Sequence, residues 1–219
     1  GFLVGATSGR TTLAGEGLQH QDGNSHLLAY PVPNLLAYDP AYAYELAVII
    51  EEGIRRMYQE QDSVFYYLTV HNENYAMPAM PGNVKVTKEG ILKGMYLFRK
   101  SGKRRAKLQA QLFGSGAILN EALKAADMLE KDYNVAANVW SITSYKALQN
   151  EAADVERWNM MHPDETPKVP YVTSCVADMS GVFVAASDYV KALPDSIASW
   201  FPRPLLALGT DGFGRSDSR

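Results

Sequence analysis

Two histidines, a glutamate and an aspartate lie within the sixteen residues 11–26, TTLAGEGLQHQDGNSH, among the glycines Gly15, Gly17 and Gly23. Imidazole changes charge near neutral pH, and carboxylates accept or deliver protons, so His20, His26, Glu16 and Asp22 are candidates for proton transfer and polar binding. The glycines suit such a role because they permit backbone conformations closed to other residues and let a ligand approach closely. His20 and His26 are six residues apart in a glycine-rich loop, which excludes a two-histidine metal site on one helical face. From the residues alone, a site loop and a turn with two surface histidines both stay open.

Weaker candidates follow along the chain. Gly114-Ser115-Gly116 precedes a helical pattern and resembles an anion cradle, but it lacks the third glycine of a dinucleotide fingerprint and the lysine of a P-loop, which favours a structural turn. His71 and Glu73 in HNENY have no third donor at metal-ligand spacing, so a loop role is expected of them. Cys175 in an apolar run reads as an inert thiol. Glu156-Arg157-Trp158-Asn159 at a helix end suits an ion-paired interface anchor.

The elements that must position these groups alternate between strand and helix. Residues 2–6 read as a buried strand feeding the site loop, and a short helix and turn follow over 27–33. Residues 35–38 form a brief strand, and Asp39-Pro40 reads as the cap and first turn of a helix running to about Gln59. VFYYLTV at 64–70 has the β-branched and aromatic content of a strand covered on both faces, and strand, helix, strand implies a βαβ unit. HNENYAMPAMPG after it is loop at the carboxyl end of a strand, where open α/β sheets bind ligands.

A short helix and a strand are expected over 87–98. RKSGKRRAK at 99–107 reads as a solvated linker or as a docking patch for an acidic partner domain or for nucleic acid. The second half predicts strands at 108–113, 135–142, 171–176, 182–186 and 205–208, and helices at 117–131, 145–160 and 188–201. The rhythm argues α/β, a mostly parallel sheet with helices on both faces.

At 219 residues with 47% hydrophobic and 21% charged, the chain has the composition of a globular protein with a sizeable core. Its longest apolar run, 46–50, is too short to cross a bilayer. A net charge of -3 gives no general reason to expect a nucleic-acid partner, and the single cysteine excludes an internal disulfide and fits a reducing cytoplasm. Gly1 leads directly into FLVGATS, and GTDGFGRSDSR stops on a glycine-rich turn, so the chain reads as a piece of a longer enzyme.

Taken together, SGRTTLAGEGLQHQDGNSH, DPAYAYELAVI, NENYAMPAMP, LFGSGAIL, ERWNMMHP and LGTDGFGRSDSR resemble the single-chain, homodimeric pyruvate dehydrogenase (acetyl-transferring) components of bacterial pyruvate dehydrogenase complexes. The likeness runs nearly end to end. It implies a thiamine-diphosphate-enzyme fold. Residues 1–85 would be the C-terminal part of the pyrimidine-binding middle domain, 86–106 a basic linker, and 107–219 the transketolase-like C-terminal domain. It further implies thiamine diphosphate and Mg2+, both bound mainly by regions outside this chain. The reaction implied is decarboxylation of pyruvate and reductive acetylation of the lipoyl group of dihydrolipoyl acetyltransferase, in the cytoplasm, with neither membrane nor nucleic acid as partner.

On that resemblance His26 matches the family's active-site histidine, and related transketolases carry a histidine in a similar DGxTH loop. His20 would be a second catalytic residue, and Glu16 and Asp22 would bind substrate. Where the family pattern reads QHEDGHSH, this chain has Gln21 and Asn24, and His71 stands where an apolar residue is expected. The alternatives are another thiamine-diphosphate enzyme of transketolase type, acting on ketose phosphates, and a non-catalytic dimerisation or docking fragment.

Overall fold

The structure is a computed structural model, and it describes residues 1–6, 8, 9, 21–103 and 106–212. The first sheet holds β1 (Phe2–Gly5), β2 (Leu35–Tyr38) and β3 (Phe65–Thr69), all parallel, with β3 in the middle. The central place suits FYYLT, whose Tyr66, Leu68 and Thr69 are all buried. β1 differs from its expected burial: it lies at an edge of this sheet, with Leu3 and Val4 more than half exposed.

After the short α1 (Ser25–Leu28), the long helix α2 (Ala43–Ile54) continues as a π-helical turn to Gln59. It does not begin at Asp39-Pro40 as expected. Glu45 closes its start instead, accepting from the backbone N–H of Ala41 (2.5 Å) and of Tyr42 (3.2 Å). Buried Glu45 also accepts from the hydroxyls of Tyr96 and Ser141, each at 2.6 Å, which ties α2 to the second half of the chain. α3 (Val84–Lys93) packs on α2, capped by the Asn83 side chain and ended by Gly94 at φ 107°.

The second sheet has the order β4-β6-β5-β7-β8. Its strands are β4 (Met95–Arg99), β5 (Leu108–Gly114), β6 (Val135–Ile142), β7 (Val182–Val190) and β8 (Leu205–Thr210), with β4 antiparallel to β6 and the other pairs parallel. Residues 86–106 therefore contain most of α3 and all of β4. Part of the positive run is held down there, for Arg99 pairs with Asp127 at 2.8 Å. α4 (Ile118–Asp132) covers Ala110, Leu112 and Val139, while α5 (Tyr145–Met161) and α6 (Tyr171–Val176) close a core of Met95, Phe113, Trp140, Leu148 and Phe183.

Two expected elements are otherwise. YVTSCV at 171–176 is the helix α6, not a strand: Pro170 precedes it, and Val172 and Val176, four residues apart, bury together as one helical face. Residues 188–201 are not one helix. β7 runs on to Val190, and only α7 (Ala192–Asp195) and a 3-10 turn at Ala198–Trp200 follow. Cys175 accordingly sits on α6, with its thiol pushed up by burial, as expected of an unreactive cysteine.

Lys146 fastens the two halves near α1. Its buried ammonium donates to the carbonyls of Ala29 (2.6 Å), Val32 (2.5 Å) and Leu35 (2.6 Å), the segment that leaves α1 and enters β2. Lys146→Met would take a charged donor from three carbonyls, of which those of Ala29 and Val32 keep the N–H groups of Val32 and Leu35 at 3.2 Å, and is expected to cost about 2 kcal/mol in equilibrium unfolding by urea. An unchanged midpoint would show that water replaces the ammonium freely.

Candidate functional site

The carboxyl ends of both sheets meet at Asp39. Its N–H donates to the Thr143 carbonyl just beyond β6 (2.8 Å), and its carbonyl accepts from Gly116 N–H just beyond β5 (3.1 Å). Gly116 has φ 49°, and a side chain there would run into His71 and the Asp39 carboxylate. Gly114-Ser115-Gly116 is thus a turn packed against this point, as expected, with the Gly116 amide already engaged.

A buried polar chain runs through the site. His26, in α1, places Nε2 3.0 Å from Thr69 Oγ1 at the end of β3. Thr69 donates to Asp39 Oδ1 at 2.6 Å, and His71 Nε2 lies 3.1 Å from the same oxygen. The other nitrogen of His71, Nδ1, is 3.2 Å from the Ser8 carbonyl. Both His71 nitrogens therefore face acceptors, and only the doubly protonated imidazolium can donate to both. Asp39 is the matching carboxylate.

Electrostatics agree with that geometry. Burial alone would raise the Asp39 carboxyl, but the hydrogen bond and charge of His71, with smaller contributions from His26 and Thr69, hold it at about 2. Burial alone would lower His71, yet the bond and charge of Asp39, the nearby Asp188 and the Ser8 carbonyl raise it above the ordinary histidine value. His26 moves the other way: burial outweighs the pull of Asp39 and Asp22, so it stays neutral to lower pH than a free histidine.

These shifts give a stability signature. A raised His71 contributes fully below its unfolded value of about 6.5 and loses its contribution as pH rises through its folded value, while a depressed Asp39 loses its own only as pH falls toward 2. The stability advantage of wild type over His71→Leu is therefore expected to shrink as pH is raised from about 6 to 9. A difference that stays flat across that range in denaturation curves would contradict the charged pair.

Asp22 holds His26 from the other side. Its Oδ1 accepts from the backbone N–H of Asn24 (3.2 Å) and Ser25 (3.0 Å), and its Oδ2 from the Ser25 hydroxyl (2.5 Å) and the Ser8 hydroxyl (3.2 Å). Its carboxylate thus fixes the start of α1. The His26 ring packs edge-on against Tyr189, with centroids 4.9 Å apart, and beside Tyr67 at 5.5 Å. Tyr189 comes from an irregular stretch of β7, where the register with β8 shifts between Ala186 and Val190, and its hydroxyl lies 2.8 Å from Ser8 Oγ and 3.4 Å from Asp39 Oδ1. Strand irregularities of this kind re-aim side chains beside functional sites.

Of the sequence-predicted site residues, His26 and Asp22 are brought together here, while His20 and Glu16 lie outside the described residues. Asp39, Thr69, His71 and Tyr189 complete the network, and none of them was singled out as a site residue from the sequence. For His71 a signal existed: it follows β3 at the carboxyl end of a parallel strand. Trp158, expected as an interface anchor, is sandwiched within its own chain by the His162 ring at 4.3 Å and the Lys168 ammonium at 3.7 Å. Among the described residues no cluster of three or more His, Cys, Asp or Glu could hold a metal ion, and no helix is long and apolar enough to cross a membrane.

Residues 1–78 match the family model of the pyruvate dehydrogenase E1 component middle domain, and residues 94–219 match that of the transketolase-like TK C-terminal domain. Over 220 residues the chain is 53% identical to the pyruvate dehydrogenase E1 component of Pseudomonas aeruginosa, and over 221 residues 51% identical to that of Escherichia coli strain K12. The chain belongs to the transketolase-like family of pyruvate dehydrogenase E1 components. Each alignment takes in 100% of this chain and 24% of the relative, so the chain spans about a quarter of the length of these E1 relatives.

Solved transketolases share the fold of this E1 chain. Transketolase from Campylobacter jejuni superposes with a TM-score of 0.64 at 17% identity, covering 99% of this chain and 28% of that one. The complex of Pichia stipitis transketolase with sedoheptulose-7-phosphate gives 0.65 at 18%, covering 97% and 26%. The expected architecture, a middle-domain end followed by a transketolase-like C-terminal domain with a mostly parallel sheet, is borne out.

Proposed function

We propose that this chain forms the histidine-bearing wall of a thiamine-diphosphate-dependent pyruvate dehydrogenase that decarboxylates pyruvate and reductively acetylates the lipoyl group of dihydrolipoyl acetyltransferase. The observation that carries the proposal is the place of His26. It is a buried imidazole at the carboxyl ends of two sheets, backed by Thr69 and Asp39, in a chain of the E1 family.

Among the described residues no cluster of three or more His, Cys, Asp or Glu offers a place for the Mg2+ that accompanies the diphosphate. We assign those contacts to the part of the relatives' length that this chain does not span. When bound, the cofactor supplies the carbanion chemistry. This chain's own share is on the substrate side: His26 takes up a proton near neutral pH and, as the imidazolium, donates it in a hydrogen bond to an oxygen of the 2-oxo acid. Tyr189 and Tyr67 pack on its ring, and Asp22 holds its helix; both Asp22 oxygens are engaged in that work, which favours orienting His26 over binding substrate. His20 and Glu16 complete the proposed site loop as second catalytic and substrate-binding residues. A homodimer in the cytoplasm belongs to the same proposal.

Its test is pyruvate-dependent reduction of an artificial electron acceptor by the full-length protein, with and without thiamine diphosphate and Mg2+. Cofactor-dependent turnover of pyruvate, with little on longer 2-oxo acids, is the expected result. Turnover of a ketose phosphate in its place would keep the fold and sink the substrate assignment.

A further inference from the structure

We propose that His71 is a positioning residue for His26, acting through Asp39 and Thr69 to fix His26 as the tautomer protonated at Nε2, so that Nδ1 is the nitrogen left to accept a proton. The inference deepens the function proposed above and rests on His26 as the residue that meets substrate.

The chain of donors leaves one consistent assignment. His71 faces acceptors with both nitrogens, Asp39 Oδ1 at 3.1 Å and the Ser8 carbonyl at 3.2 Å, and so is held as a cation beside Asp39. Asp39, paired in this way, stays ionised and can only accept. The single proton of the Thr69 hydroxyl then goes to Asp39 Oδ1, its nearest acceptor at 2.6 Å, ahead of the Tyr38 carbonyl at 3.3 Å. Thr69 Oγ1 has only lone pairs to offer His26 Nε2 at 3.0 Å, so Nε2 must carry the hydrogen. The group backing a histidine sets which nitrogen is free for chemistry.

The same pair sets the charge around His26. The groups facing His26 are Asp39, Asp22, His71, Tyr67 and Tyr189, and those facing His71 are Asp39 and Asp188. Removing the His71 cation leaves the Asp39 carboxylate uncompensated two hydrogen bonds from His26. Where Asp39 stays ionised it favours protonated His26; where burial, no longer opposed by His71, protonates Asp39, that carboxyl can donate to Thr69 and the Thr69 proton is free to turn toward His26. An apolar side chain at 71, which the family resemblance leads one to expect, would lack this device.

The experiment uses the full-length protein and compares wild type with His71→Leu and His71→Gln. Ring 15N spectra of histidine-labelled protein, with the His26 signals assigned by their loss in His26→Gln, report the tautomer directly and need no turnover. In wild type, His26 should show an unprotonated Nδ1. In His71→Leu it should show mixed tautomers, and the acidic limb of kcat/KM for pyruvate should move up by about one pH unit. His71→Gln keeps a donor to Asp39 without the charge. It should keep the wild-type tautomer while still moving the acidic limb, and it serves as well if the leucine variant does not fold.

A wild-type His26 protonated at Nδ1, or an unmoved tautomer and acidic limb in folded His71→Leu, would overturn the proposal. A wild type that shows the expected tautomer but turns over no pyruvate would refute the proposed reaction and leave the positioning role standing.

Discussion

His26→Ala in the full-length enzyme is expected to lower pyruvate turnover by about 100-fold or more while thiamine diphosphate remains bound. The expectation follows from how much of the structure is spent on one ring. α1 has a single turn, its start is closed by Asp22, and the Gly23 carbonyl accepts from Val190 N–H at 3.0 Å, which pins the segment to β7. Edge-on packing against Tyr189 and the Thr69 contact leave the imidazole little rotational freedom, and holding a group in reactive geometry is itself a large part of catalysis. The cofactor is held elsewhere in the proposal, so its affinity should be unchanged. Steady-state kinetics equal to wild type would remove His26 from the site.

Asp39→Ala is expected to destabilise the protein by about 3–5 kcal/mol, because it leaves the His71 imidazolium buried without its carboxylate. It would also take the acceptor from Thr69 and Tyr189. Asp39→Asn keeps the shape but removes the charge. It should be milder in equilibrium unfolding, while still losing activity through a disordered His26. Equal unfolding midpoints for wild type and Asp39→Ala would mean that His71 is neutral in the folded protein, contrary to its two acceptors.

The regular elements were legible where local pattern and tertiary environment agree. VFYYLTV is the central strand β3 because an unbroken β-branched and aromatic run suits a strand with a neighbour on each side, and α4 and α5 lie where helices are expected from sequence. Asp39 reads from sequence as a helix cap because Asp-Pro carries the local signature of a helix start, and nothing nearby in sequence shows that the side chain meets Thr69 and His71, thirty and more residues away. The helix α6 was hidden by the β-branched content of YVTSCV, which the burial of Val172 with Val176 overrides.

Within the site, His26 was identified through its DGxSH setting. Asp22 was found as well, although its oxygens cap α1. Tyr189 could not be found from sequence, since its position depends on an irregular stretch of β7 and a partner, Ser8, at the other end of the chain. His71 reads as a loop residue from sequence because HNENY offers no third donor at metal-ligand spacing, and its partner carboxylate, Asp39, is distant in the chain.

The central claim is that His26 meets the substrate, not the cofactor, and the most direct measurement is a pair of titrations on full-length wild type and His26→Ala. Thiamine diphosphate with Mg2+ is titrated first, then a phosphonate analogue of pyruvate that cannot be decarboxylated onto the cofactor-loaded protein. Equal cofactor affinity with analogue binding weakened about tenfold or more, the loss of one charge-assisted hydrogen bond, is the expected result. Analogue binding unchanged in the variant, or cofactor binding lost with it, would contradict the claim.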